Sequence, residues 1–105
     1  MAIQLNVSAA FHSRHMVNIG DEFEEFLQDF DFAKPQIPII ANATARPYKS
    51  AHIINNLTRQ ISGSVRWVDT VRHLIKEGVN NFIEVGPKNV LTRLVHDIRS
   101  QTLQL

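Results

Sequence analysis

Ile37-Pro38-Ile39-Ile40-Ala41 is a short, almost unbroken apolar run, and it limits what this chain can fold into more than any other segment. Such a run suits a strand buried on both faces, as in a parallel sheet, because a half-exposed strand alternates apolar with polar residues. Pro38 then belongs at the strand's start, where its missing N–H does least harm. Ile3, Leu5 and Val7 alternate with Gln4, Asn6 and Ser8 and predict a further strand. Asn81-Phe82-Ile83-Glu84-Val85, cut off by Gly86-Pro87, predicts a third.

Helical periods fill the intervals. Met16, Ile19, Phe23, Phe26, Leu27 and Phe30 recur at three and four, with acids on the opposite face. Gly20 predicts an irregularity there or a restart at Asp21, and Lys34-Pro35 ends the helix. Residues 42–48 read as a loop. Ile53, Leu57 and Ile61 predict a second helix, punctuated by Ser62-Gly63-Ser64. Trp67, Val68, Val71, Leu74 and Ile75 predict a third, with Lys76 and Gly78 as its C-terminal signals. Val90, Leu91, Leu94, Val95 and Ile98 predict a fourth. The order β-α-β-α-α-β-α is an α/β pattern of about three short parallel strands with flanking helices. A parallel sheet needs cover on both faces and neighbours for its central strands, and this inventory supplies them only minimally. The chain is therefore expected to self-associate or to belong to a larger α/β domain, with apolar edges exposed.

At 105 residues, with 44% apolar and 20% charged side chains, the chain is sized for one globular domain and not for two. No apolar run approaches the ~18–20 residues of a membrane span, and residues 1–12 lack the features of a secretory leader. A cytoplasmic protein is expected. With no Cys, thiolate catalysis and thiolate metal sites are excluded. A net charge of +1 argues against nucleic acid or an anionic membrane as the main partner. The charge is uneven, however, at −5 over residues 1–33 and +6 over 34–105. Either the acids form the solvated face of one helix and the bases are scattered, or the basic part receives an anionic ligand such as a phosphorylated cofactor or an acidic carrier protein.

His12 and His15 form H-x-x-H, but no third ligand is indicated and no metal site is expected. His12 is singled out by position: it follows an apolar strand, at the carboxyl edge where open parallel sheets gather ligands and catalytic groups. A catalytic histidine and a satisfied loop or core histidine are both compatible with that position. Neither Ser8 nor Ser13 lies in a nucleophile elbow, because no G-x-S-x-G occurs in the chain.

Four segments carry a resemblance: Val7-Ser8-Ala9-Ala10-Phe11-His12-Ser13-Arg14-His15-Met16; Pro38-Ile39-Ile40-Ala41-Asn42-Ala43-Thr44-Ala45-Arg46-Pro47-Tyr48; Gln60 followed by Val65-Arg66-Trp67; and Phe82-Ile83-Glu84-Val85-Gly86-Pro87-Lys88-Asn89-Val90-Leu91-Thr92. In order and spacing they resemble the malonyl-CoA:acyl carrier protein acyltransferases of fatty acid and polyketide synthesis, the polyketide synthase type above all. The resemblance implies an α/β-hydrolase-like acyltransferase core, of which residues 1–105 would be the C-terminal third. In that family a serine on a G-H-S-x-G elbow attacks the malonyl thioester and passes the acyl group to the phosphopantetheine thiol of a carrier protein. His12 matches the histidine that acts as general base and then acid. Gln60 matches the position whose backbone carbonyl holds the other imidazole nitrogen. Phe11, in Ala9-Ala10-Phe11-His12, fits the malonyl-type pattern His-Ala-Phe-His and differs from the methylmalonyl-type Tyr-Ala-Ser-His, with Ala9 departing from both.

The implied substrate is malonyl-CoA, with no permanently bound cofactor. The implied partners are an acyl carrier protein and either the missing N-terminal acyltransferase portion or a second copy. Because the chain lacks G-H-S-x-G, an upstream Gly-Gln-Gly segment and a candidate for the arginine that pairs with the malonyl carboxylate, it is expected to be inactive alone. The alternative is a non-catalytic α/β interaction module that binds a carrier protein or a complementary chain.

Overall fold

The computed structural model describes residues 1–102, and the chain divides into two compact units, Met1–Val65 and Arg66–Leu105. In the first unit a 3₁₀ turn at Arg14–Met16 leads into α1 (Val17–Leu27), and a second at Ser50–His52 leads into α2 (Ile53–Ser62). Ser13 starts the first turn by accepting from the His15 N–H at 3.3 Å and donating its hydroxyl to Ala10 O at 2.6 Å. The α1 helix runs unbroken through Gly20. A Cβ there would lie 3.8 Å from Thr58 Cγ2 and Thr58 O, so α1 and α2 meet at that point in ordinary contact. Met16, Leu27, Ala41, Ala45 and Ile53 are buried in this unit. The apolar stripe of α1 is wider than its cover: Ile19, Phe26 and Phe30 are about half exposed, and the Phe26 and Phe30 rings lie against each other with centroids 5.0 Å apart.

The expected strands do not form among the described residues. Ile37–Ala41, read as the centre of a parallel sheet, instead enters a tight bend. Ile40 bridges Pro47 antiparallel, Tyr48 N–H donates to Ile39 O at 2.8 Å, and Ala41 N–H donates to Arg46 O at 2.9 Å. Buried Ala45 turns the chain at φ 57°, with its N–H on Ala41 O. Ile3, Leu5 and Val7 keep their alternation but stay 62–74% exposed. A strand is a pairing, and its apolar pattern reports a face to be covered without providing the neighbour that covers it.

The second unit is built on α3 (Trp67–Lys76) and α4 (Val90–Thr102). Val71, Val95 and Ile98 are buried together, with Trp67, Ile75 and Phe82 packed around them. Residues 81–85 join no strand among the described residues, yet they still sort by face. Phe82 enters this core and Glu84 turns to α4, while Ile83 and Val85 are 80% and 98% exposed. Glu84 caps α4, accepting from Thr92 N at 2.9 Å, Thr92 Oγ1 at 2.8 Å and Leu91 N at 3.4 Å. The Thr92 N–H, followed by its hydroxyl, holds the Glu84 carboxyl below the usual carboxylate range. Arg99 closes the unit by donating to Asn80 O at 2.6 Å with its guanidinium 5.3 Å over the Phe82 ring.

Candidate active site

An α-helix ends with carbonyls that have no partner in the next turn. At the end of α2, Gly63 N–H takes Arg59 O at 2.8 Å, leaving the carbonyls of Gln60 and Ile61 to be met from elsewhere. His12 meets both. Its backbone N–H donates to Ile61 O at 2.9 Å and its Nδ1–H donates to Gln60 O at 2.7 Å. To do so His12 adopts φ 62°, the left-handed region, where a non-glycine residue carries about 1–3 kcal/mol of strain that only well-placed contacts can hold. The two bonds to one helix end are those contacts.

The chemical consequence follows from the acceptor. A carbonyl oxygen cannot donate, so Nδ1 carries the proton and Nε2 of the neutral ring keeps its lone pair. His12 is exposed, and Nε2 makes no hydrogen bond among the described residues. The arrangement can accept a proton at Nε2 and return it from a fixed ring orientation.

Gln60 holds the imidazole through its backbone, while its side chain makes a different bond, with Oε1 accepting from Asn42 Nδ2 at 3.1 Å. Asn42 follows buried Ala41 in the bend and ties that segment to the end of α2. Sequence reasoning passes over Asn42, whose only signal is its place in a loop after an apolar run. Phe11 stands beside His12 in sequence and is 54% exposed. His15 lies exposed in the 3₁₀ turn, and among the described residues no three His, Asp or Glu side chains gather as a metal site.

No family model matches the chain. The polyketide biosynthesis malonyl CoA-acyl carrier protein transacylase PksC of Bacillus subtilis is 50% identical over 99 residues, which are 94% of this chain and 34% of that protein. Over nearly its whole length the chain is similar to malonyl CoA-acyl carrier protein transacylases. It spans about a third of the length of the transacylases it matches. A crystal structure of a malonyl CoA-acyl carrier protein transacylase from Burkholderia pseudomallei aligns at a TM-score of 0.86 and 43% identity, over 92% of this chain and 35% of that one. A malonyl-transacylase solved in complex with a type II polyketide acyl carrier protein aligns at 0.87 and 32% identity, over 91% and 31%. Among the described residues of this transacylase relative, no helix is long and apolar enough to cross a membrane.

Proposed function

We propose that this chain is the histidine-bearing, C-terminal portion of a malonyl-CoA:acyl carrier protein transacylase of polyketide biosynthesis, working in the cytoplasm without a resident cofactor. The observation that carries the reading is the seat of His12 on the Gln60 and Ile61 carbonyls, which leaves Nε2 as an oriented base. The nucleophilic serine would come from the remainder of the domain. Its hydroxyl proton passes to Nε2 as Oγ attacks the thioester carbonyl of malonyl-CoA. The tetrahedral adduct collapses, the C–S bond breaks, and Nε2–H protonates the departing thiolate, leaving a malonyl-serine ester. In the return half-reaction the phosphopantetheine thiol gives its proton to Nε2, its sulfur attacks the ester, and the seryl oxygen recovers the proton. Throughout, the Gln60 carbonyl holds Nδ1–H and stabilises the imidazolium, as a carboxylate does in serine proteases. Phe11 would narrow the acyl pocket against an α-methyl group, a discrimination worth about 1–3 kcal/mol.

The exposed apolar faces support the partial-domain reading. Ile3, Leu5, Val7, Ile83 and Val85 are each more than half exposed, and the remainder of the domain would pair and cover residues 3–7, 37–41 and 81–85 as strands of an α/β sheet. Intact-mass measurement after incubation with malonyl-CoA tests the assignment. The chain alone should stay unmodified, and adding the complementary segment with its G-H-S-x-G serine should restore acylation of that serine. Stoichiometric acylation of the chain by itself would overturn it.

A further inference from the structure

His52, Asn55, Asn56 and Arg59 recur at three and four along α2 and so share one of its faces. The segment before the helix brings Arg46 and Lys49 to the same place, and together these six residues line most of a cleft of about 350 Å³. No carboxylate lines it. The reason is in the sequence, where no Asp or Glu occurs between Asp31 and Asp69. Arg46, Lys49 and Arg59 form no ion pair among the described residues, and the Arg66–Asp69 pair belongs to the other unit. Gathering three cations without a counter-charge raises the energy of the folded chain, and an anion in the cleft relieves it.

Two further features aim donors at the same space. Asn56 is only 8% exposed, yet no hydrogen bond reaches its side chain among the described residues while it lines the cleft. The amide is not sealed from solvent, so it stays available to donate to an acceptor placed in the cleft. His52 occupies the N-cap of α2 without capping it, so the first-turn N–H groups have no side-chain acceptor. That end of the helix also carries its positive partial charge.

We infer that this cleft binds the phosphate ester or diphosphate group of a small phosphorylated molecule. A single carboxylate would neutralise one of three cations, whereas a phosphate or diphosphate carries the charge and the acceptor oxygens to engage two guanidinium groups and the Asn56 amide together. The volume lies near the lower end of the range for small-molecule pockets, on the order of 300–1,000 Å³, which suits a compact polyanion. The site is independent of the transacylase reading, since His12 takes no part in it.

Titration of the full chain with inorganic pyrophosphate, followed by amide chemical shifts, tests the inference. Saturable shifts are expected at Arg46, Lys49 and the first two turns of α2. Arg59→Gln should weaken binding by about tenfold, the loss of one charge-assisted contact. The Arg46→Gln/Arg59→Gln pair should remove it, and His12→Ala should leave it unchanged. Both arginines are exposed, so a wild-type spectrum without ligand is expected for each variant. Adenosine 3′,5′-bisphosphate in place of pyrophosphate separates the sources: tighter binding identifies a nucleotide-borne phosphate, and equal binding a phosphate group alone. Failure to saturate at millimolar pyrophosphate, binding indifferent to both arginines, or a stronger response to a poly-glutamate peptide would each overturn it.

Discussion

The helices α2 and α3 face the same problem at their C-termini and solve it differently. At the end of α3, Val79 N–H donates to Leu74 O and Gly78 N–H donates to Ile75 O, both at 3.0 Å, with Gly78 at φ 90°. This is the Schellman arrangement, closed by the next three residues of the chain. At the end of α2 the corresponding role falls to His12, which reaches Gln60 across 48 positions of sequence. A helix end closed by its own continuation finishes an element. One closed by a distant side chain becomes a fixture that holds that side chain in a single tautomer and direction.

The largest expected effect comes from removing the fixture's occupant. In the complete domain, His12→Ala should lower malonyl transfer by about 10²–10⁴-fold while the far-UV spectrum stays unchanged. Transfer near the wild-type rate would reduce His12 to a helix cap like Gly78. Next, Gly63→Ala places a Cβ 2.8 Å from Arg59 O, a clash with rigid backbone. It should destabilise the chain by about 1–3 kcal/mol in urea unfolding and shift the His12 ring resonances with it. Gly78→Ala meets open space, so its penalty is conformational, about 1 kcal/mol, and should leave the His12 resonances in place.

The smallest effect concerns pH. Because hydrogen bonds lower the Glu84 carboxyl in the folded chain, its contribution is present above the ordinary carboxylate range and is lost as pH falls through the lowered value. Glu84→Gln should flatten that part of an acid-unfolding curve followed by helical circular dichroism, without changing His12. An acid limb unchanged by the substitution would show that Glu84 does not couple α4 to pH.

Legibility in the sequence follows the same division between local and distant closure. The helices from Ile53, Trp67 and Val90 are legible because their apolar spacing and stop signals are local, and Gly78 announces its own motif. The apolar spacing carries the first helix to Phe30, but it ends at Leu27, with Phe30 N–H returning to Leu27 O in a turn. Residues 37–41 read as a parallel strand because their composition fits one, yet Ile39 O and Ala41 N–H are satisfied within their own bend, by Tyr48 N–H and Arg46 O. At the site, His12 is legible as a position and Gln60 only through family resemblance, since a backbone carbonyl leaves no mark in residue type. Asn42 is not legible, because its Gln60 contact is a long-range bond between two ordinary polar residues. The uneven charge is visible throughout, but not that Arg46, Lys49 and Arg59 share one cleft.

By itself the sequence determined the four helices, the stop at Gly78, the stretch from Asp31 to Asp69 without internal carboxylates, and the kinship with the transacylases. Each is a property of composition or of residues within a few positions of one another, where backbone propensity and side-chain period act directly. Only the tertiary structure decided that His12 sits left-handed on the end of α2, that Asn42 ties Gln60 to the bend, and that Arg46 and Lys49 meet Arg59 of α2 in one cleft. Those outcomes depend on which distant group reaches an unpaired carbonyl or an uncompensated charge, and that is settled when α1, the bend and α2 pack together.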